Sequence, residues 1–226
     1  MKQTFVLVLV GAVLVGSAAP ARADVTVTVD PGASWLGFMN VFELPVNGGG
    51  YVFGSPWGTA DLVATFSGPV LTLAPNTIGD PSPFWYIGGG GPGAPGNKIM
   101  EANMYVEETG PLSGMTVTFT GEVLSNTFTG AHSAVAFIKD FAPDYSSNVT
   151  VTVPLTPGVF SVSLATIADP ARHVQYGFAT TGVNVWVTDV GPFGSAEVTA
   201  IPEPASAALV AWGLLAMGGL ELRRKR

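Results

Sequence analysis

The residues whose types and spacing could support catalysis are carboxylates and histidines, because this chain of 226 residues has no cysteine. The closest carboxylate groupings are Glu107-Glu108 and the pair of Asp140 and Asp144. A glycosidase needs two carboxylates across a cleft, and spacing along the chain does not exclude such a pair. A serine follows His132, but neighbours in sequence do not make a catalytic triad, and no G-x-S-x-G or H-E-x-x-H motif occurs. We therefore expect a protein that is not an enzyme, with a hydrolase of glycosides or other polymers as the alternative.

Three aromatic residues lie beside loops rich in glycine and proline, where a ring can be exposed: Trp57, Trp85 and Tyr86. The flat apolar faces of such rings stack on the C–H surfaces of sugars, and a few polar groups then fix the sugar's orientation. These residues are the predicted ligand-binding residues, and packing beneath the loops is the alternative for each. Trp35 and Trp186 lie in apolar strand patterns and are expected in the core.

The part of the chain between its two ends is strongly acidic. Residues 24–204 contain 15 acids against only Lys98, Lys139 and Arg172, a net charge of −12. Such a surface repels nucleic acid and phosphate-rich partners, and it keeps an exported domain soluble. Without cysteine, stability must come from burial, backbone pairing or a bound metal ion.

The composition favours an all-β fold, because 29 glycines and 18 prolines accompany 47% apolar residues. About thirteen short strand patterns follow one another, among them the strict alternation of Val25 to Val29 and of Met115 to Val123. The glycine-rich stretch 88–97 is expected to be a surface loop, since it has no nucleotide-binding context. The prediction is one ectodomain, 24–200, folded as a jelly-roll-like β-sandwich, with an immunoglobulin-like sandwich as the alternative.

The amino end has the pattern of a secretory signal peptide. Lys2 supplies the positive charge, and residues 5–15 form an uncharged apolar run. Ala21 and Ala23 stand at the two positions that a signal peptidase reads, which predicts removal of residues 1–23. An uncleaved membrane anchor is the alternative.

The carboxyl end, 201–226, has three parts in a fixed order. Pro202-Glu203-Pro204 is extended because its prolines exclude helix, and residues 205–220 then form an uncharged apolar segment. As a helix that segment would be about 24 Å long, which predicts a single transmembrane helix. The terminal basic cluster, expected on the cytoplasmic side, is Arg223, Arg224, Lys225 and Arg226. An ordinary tail anchor is the alternative.

These three parts resemble the PEP-CTERM sorting signal of Gram-negative bacterial surface proteins, and only Glu221-Leu222 departs from the commonest pattern. The resemblance implies that an exosortase-like membrane enzyme recognises Pro202-Glu203-Pro204 and delivers the ectodomain to the cell surface or the extracellular matrix, as in a biofilm. The ectodomain is then expected to be a polysaccharide-binding or matrix module. The alternatives are an extracellular hydrolase and a purely structural coat or adhesion protein.

The segment from Gln175 to Val190 resembles the last two strands of jelly-roll carbohydrate-binding modules, with Val183 to Val190 as an aromatic strand that ends in an acid. The resemblance implies that Asp189 stands where those modules place a ligand of structural calcium. Glu43 is the expected second ligand. Calcium prefers six to eight oxygen ligands, mainly carboxylates and carbonyls.

Overall fold

The computed structural model describes residues 23–201. Ala21 of the predicted signal peptide and the predicted sorting tail from Pro202 onwards lie outside the described residues. Ala23 is exposed at the start of the described chain, where its carbonyl accepts a hydrogen bond from Thr116 N. Among residues 23–201, no helix has the length and apolar character that crossing a membrane requires.

The described residues form twelve strands and two short 3-10 turns, Pro45–Asn47 and Gly191–Phe193. The strands, numbered β1 to β12 in chain order, are Asp24–Thr28, Leu36–Glu43, Tyr51–Pro56, Ala64–Ser67, Val70–Leu73, Lys98–Thr109, Thr116–Asn126, His132–Phe141, Asn148–Pro154, Gly158–Ala165, His173–Val183 and Ala196–Thr199. The predicted all-β class is confirmed.

The strands form two six-stranded sheets that pack as a β-sandwich. Sheet B has the order β3-β2-β6-β11-β8-β9. In sheet A, β10 pairs with β7 along one edge, while β1 and β12 share the other edge of β7. The parallel strand β1 covers residues 116–120 of β7, and antiparallel β12 covers 122–126. Beyond β12, the sheet continues with β5 and then β4.

The last eight strands pair as one long antiparallel hairpin, and this hairpin is folded so that its strand pairs lie in two layers. The antiparallel pairs β8·β9 and β6·β11 belong to sheet B, whereas β7·β10 and β5·β12 belong to sheet A. Successive pairs outward from the β8–β9 turn therefore alternate between the sheets. This nesting brings β6, β11 and β8, which are distant in sequence, side by side at the centre of sheet B.

The inner faces of the two sheets enclose an aromatic core. Phe119 of sheet A contacts both Phe178 and Phe160, with ring centroids 5.3 Å apart in each case. Trp35 stacks on Phe178 at 6.3 Å, and Trp186 also packs against the core as expected, although neither residue lies in a strand. Because burial of each large aromatic side chain contributes several kcal/mol, this cluster is a main source of stability in a chain without disulfides.

The strand predicted at Val183 to Val190 is wrong. β11 ends where the predicted strand Val183 to Val190 begins, and the chain there continues as a loop. The physical reason is the buried side chain of Asn184, which takes the place of a strand partner. Its Oδ1 accepts hydrogen bonds from Asn97 N at 3.1 Å and Lys98 N at 3.0 Å, and its Nδ2 donates to Trp85 O at 2.9 Å.

Candidate functional site

The outer face of sheet B forms one groove, with a volume of about 770 Å³. Every second residue of its strands points away from the core and into this groove, because side chains alternate along a strand. The lining residues are Phe38, Asn40 and Pro56 from β2 and β3; Glu101, Asn103, Tyr105 and Glu107 from β6; Gln175, Ala179 and Thr181 from β11; Val135, Phe137, Lys139 and Phe141 from β8; Tyr145 from the β8–β9 turn; and Asn148, Thr150 and Thr152 from β9.

The groove is concave because its central strand, β11, carries small residues, whereas the strands on either side of it carry large ones. Gly177 of β11 is paired with Tyr105 on one side and with Phe137 on the other. A Cβ atom at Gly177 would lie 2.1 Å from Met104 O, so only glycine fits there. Ala179, the next residue along this face, is also small. The flanking side chains therefore form walls, and β11 forms the floor.

An amide–carboxylate network organises one wall of the groove. Glu101 Oε1 accepts hydrogen bonds from Asn40 Nδ2 and Asn103 Nδ2, each at 3.0 Å. Asn103 Oδ1 in turn accepts a hydrogen bond from Lys139 Nζ at 2.7 Å, across the floor strand. This network fixes the orientation of all four side chains, so polar groups are positioned before any ligand arrives.

Lys139 lies at the centre of the groove with spare hydrogen-bonding capacity. Its Nζ is 4.3 Å from the centroid of the Phe137 ring, which is fully buried beneath it. Within residues 23–201, no carboxylate oxygen lies within 4.0 Å of this ammonium group. Burial lowers the pKa of Lys139 from its usual value, and the charge of Glu101 partly opposes this shift. An ammonium has three donors, and the described contacts use one of them.

A second hydrogen-bond network lies around Glu107, six residues further along β6 than Glu101. Glu107 accepts hydrogen bonds from Gln175 Nε2 at 2.7 Å and from Tyr145 Oη at 2.9 Å. The Tyr145 ring stacks on His173 with 4.3 Å between ring centroids. Burial, the hydrogen bond to Glu107 and the charge of that carboxylate raise the pKa of Tyr145 to about 12. Burial, followed by the charge of Glu107, also raises the pKa of Tyr105.

The carboxylates do not form a glycosidase pair within the groove. Glu101 and Glu107 are six residues apart on one strand, hence about 20 Å apart, whereas glycosidase carboxylates stand about 5–9.5 Å apart. Glu108 belongs to the opposite face of β6 from Glu107. Asp140 is buried and pairs with Arg172 Nε at 2.7 Å, which makes it a structural group.

The three predicted aromatic residues lie outside the groove. Tyr86 is fully buried, and its hydroxyl contacts the carbonyl oxygens of Ile78 and Val185. The ring has no face open to a sugar, so the ligand contact predicted for Tyr86 is wrong for this structure. Trp85 is half-buried, with its ring packed edge-on against Phe53 and Phe84. Trp57 is half-buried and lines a second cavity.

The two predicted calcium ligands have other partners. Glu43 Oε2 is 3.1 Å from Lys98 Nζ, with which it forms a salt bridge. Asp189 Oδ2 accepts a hydrogen bond from Gly93 N at 2.6 Å, and this contact ties down the glycine-rich loop. In the part of the chain that the structure describes, no group of three or more histidine, cysteine, aspartate or glutamate side chains could hold a metal ion.

The sequence of each strand shows, on its own, the alternation of groove residues with buried residues. In β6, Glu101, Asn103, Tyr105 and Glu107 alternate with buried methionine, alanine and valine, which indicates a polar outer face. The pattern does not say which strand lies beside β6. Its neighbours are β2 and β11, and only their register brings Asn103 opposite Ala179.

Comparisons with known protein families, with curated proteins and with solved structures found no match to this chain. The functional argument therefore rests on the groove and on the sequence patterns at the two ends of the chain.

Proposed function

We propose that this protein is an exported, non-catalytic module that binds a neutral polysaccharide in the groove of sheet B. The observation that carries the proposal is an open, concave sheet face that combines aromatic rings with fixed hydrogen-bonding groups. Sugar chains are long, flat and rich in hydroxyl groups, and they need both kinds of contact. Tyr105 and Tyr145 supply rings, Lys139 supplies donors, and Glu101 and Gln175 supply acceptors.

The charge of the described domain favours an uncharged ligand. Residues 23–201 contain 14 acids and three cations. Lys98 and Arg172 are buried in salt bridges with Glu43 and Asp140, so Lys139 is the one lysine or arginine of residues 23–201 placed to meet a ligand. A polyanionic chain in the groove would face this single ammonium and also two carboxylates, on a domain that repels it as a whole. Binding of a neutral chain carries no such electrostatic cost.

A jelly-roll form of the β-sandwich fits this proposal. The nested pairs β8·β9, β7·β10, β6·β11 and β5·β12, which alternate between the sheets, support that topology. Double-sheet jelly rolls occur among lectin domains, although a fold does not by itself assign a function. The residues of the groove carry the functional argument.

Export and sorting complete the proposal. The pattern that ends at Ala23 supports cleavage by signal peptidase, and Pro202-Glu203-Pro204, the apolar segment 205–220 and the basic cluster support handling by an exosortase-like enzyme. The product would reside at the cell surface or in the extracellular matrix.

Cell fractionation tests the sorting step. We expect Glu203→Ala to hold the chain in the membrane fraction, because the motif would no longer be recognised. Glu122→Ala, which removes a carboxylate from sheet A, is the matched control and should be released as the unchanged chain is. Normal release of Glu203→Ala would contradict the sorting proposal.

Binding to a glycan array tests the function of the groove. The full chain, purified in detergent, should bind at least one neutral polysaccharide, and Tyr105→Ala should weaken binding about tenfold, or about 1.4 kcal/mol. Tyr51→Ala is the control, because Tyr51 is an exposed tyrosine of β3 that does not line the groove. Absence of binding to every neutral glycan would overturn the proposal and favour a structural coat or adhesion protein. Release of reducing ends from a bound polymer would favour the hydrolase alternative.

A further inference from the structure

A second cavity lies beside the groove, around Trp57. It has a volume of about 570 Å³ and is lined by the segment from Pro56 to Asp61, by residues 77–79 and by Val187. We call it the Trp57 cavity. It draws its walls mainly from the β3–β4, β5–β6 and β11–β12 connections, whereas all the lining residues of the groove except Tyr145 lie on strands.

The groove and the Trp57 cavity meet at Pro56, which lines both. Pro56 ends β3, the strand at one edge of sheet B, and is paired with Phe38. The row of paired residues continues from Phe38 through Asn103 and Ala179 to β8. A chain that crosses the strands along this row and passes the β3 edge of sheet B leaves the groove over Pro56, which is also part of the lining of the Trp57 cavity.

The Trp57 cavity has the groups that a sugar needs. The indole ring is held in place, because Trp57 Nε1 donates to Ser55 Oγ at 2.9 Å and Trp57 N donates to Gly37 O at 3.0 Å. Val187 is about half exposed and offers an apolar surface on the same cavity. Asp61 and Thr77 supply oxygen acceptors for hydroxyl groups. Rings fixed by their own hydrogen bonds lose little freedom when a ligand stacks on them.

We propose that the Trp57 cavity is a second subsite for the polysaccharide that occupies the groove, so that the protein recognises the interior of a long chain. This inference rests on the proposed function of the groove. Sheet B is six strands wide, or about 24 Å across its strands at the usual spacing. A short oligosaccharide fits within that width, and only a longer chain reaches past Pro56. The second subsite therefore makes affinity depend on chain length.

Isothermal titration with matched tri- and hexasaccharides tests the inference. The probes are the neutral gluco-, xylo- and manno-oligosaccharides with β-1,4 linkages and the β-1,3-linked gluco-oligosaccharides, titrated into the full chain in detergent. We expect a hexasaccharide to bind at least tenfold more tightly than its trisaccharide. Trp57→Leu should remove that gain and leave trisaccharide affinity within about twofold.

A second variant covers the case in which Trp57→Leu does not fold, because part of that ring packs against the core. Val187→Asp changes an exposed residue of the same cavity and should also remove the gain with chain length. A gain that persists in Val187→Asp overturns the inference, and so does an equal loss for both probe lengths. If Ala179→Trp, which fills the groove, leaves trisaccharide binding unchanged, the proposed function of the groove fails instead. Absence of binding to all the probes overturns both.

Discussion

The outer faces of the two sheets differ in the size of their side chains, although both follow the same alternation. Where β7 lies between β1 and β10, the outer face of sheet A carries short hydroxyl residues in register, since Thr118 is paired with both Thr26 and Ser163 and Thr120 with both Thr28 and Ser161. These hydroxyls bond to their neighbours, as Thr118 Oγ1 does to Ser163 Oγ at 2.8 Å. The outer face of sheet B carries long amides, carboxylates, a lysine and aromatic rings around a floor of glycine and alanine.

The comparison shows how a sandwich forms a groove on one face without an added loop or domain. Short side chains of similar length leave a sheet surface even, and their hydrogen bonds are satisfied locally. Large side chains on both sides of Gly177 and Ala179 leave a trough, and the donors and acceptors in its walls are held by one another. The difference between an even sheet face and a face with a groove therefore lies in a few positions of β6, β8 and β11.

The largest expected effect comes from filling the floor of the groove. Ala179→Trp places an indole between Asn103 and Val135, so binding of a neutral hexasaccharide should weaken about a hundredfold or more, or about 2.7 kcal/mol. Ser161→Trp places the same ring on the outer face of sheet A and should leave affinity unchanged. Affinities from titration calorimetry decide the comparison, and equal losses in the two variants would show that the two faces do not differ in function.

A smaller effect is expected from the carboxylate that organises the groove wall. Glu101→Gln replaces an acceptor of two amide donors by a group with its own N–H donors, so binding should weaken about tenfold as the wall loses its order. Glu197→Gln removes the same charge from sheet A, where the carboxylate receives only a long hydrogen bond from Ser125. We expect it to keep affinity within twofold. Unchanged binding in Glu101→Gln would show that the wall network does not contribute to ligand binding.

The hydroxyl of Tyr145 should matter less than the wall. Tyr145→Phe keeps the ring stacked on His173 but loses the hydrogen bond to Glu107, so affinity should fall about threefold, or about 0.7 kcal/mol. Tyr51→Phe removes a hydroxyl from an exposed ring outside the groove and should have no effect. A loss of a hundredfold in Tyr145→Phe would mean that this hydroxyl contacts the ligand directly.

The smallest effect concerns stability and pH. Because burial holds the pKa of Lys139 below its usual 10.5, the unfolded chain binds more protons than the folded one between those two pKa values. The cost of the buried ammonium is therefore present at neutral pH and is lost as pH rises through the folded pKa. Lys139→Met has no such cost, so its Tm relative to that of the unchanged chain should fall as pH rises from 7 to above 10.5.

A pH-independent difference in Tm between these two proteins would contradict the burial of a charged Lys139. Both proteins keep the tyrosines that also titrate at alkaline pH, so that contribution cancels in the difference.

Alternation within each strand could be predicted from the sequence, and the groove could not. The polar face of β6 and the apolar face of β7 follow from a period of two, which is a local property. The position of β11 between β6 and β8 depends on pairing across 32 or more residues along the chain, as in the pairing of His173 with Phe141. The predicted sugar-binding residues were all loop aromatics and did not include the groove residues Tyr105 and Phe141, because the face to which a strand aromatic points depends on how the strands pack. The strand expected at Val183 to Val190 failed because one buried asparagine side chain replaced a strand partner.

Side-chain footprinting by hydroxyl radicals gives the most direct test of the central claim, that sheet B and not sheet A binds a neutral polysaccharide. The full chain in detergent is oxidised with and without the neutral hexasaccharide that binds most tightly on the array. The account predicts protection of Tyr145 and Phe141 in the groove and no change at Val159, which is exposed on sheet A. Protection of Val159 without protection of Tyr145 would contradict it.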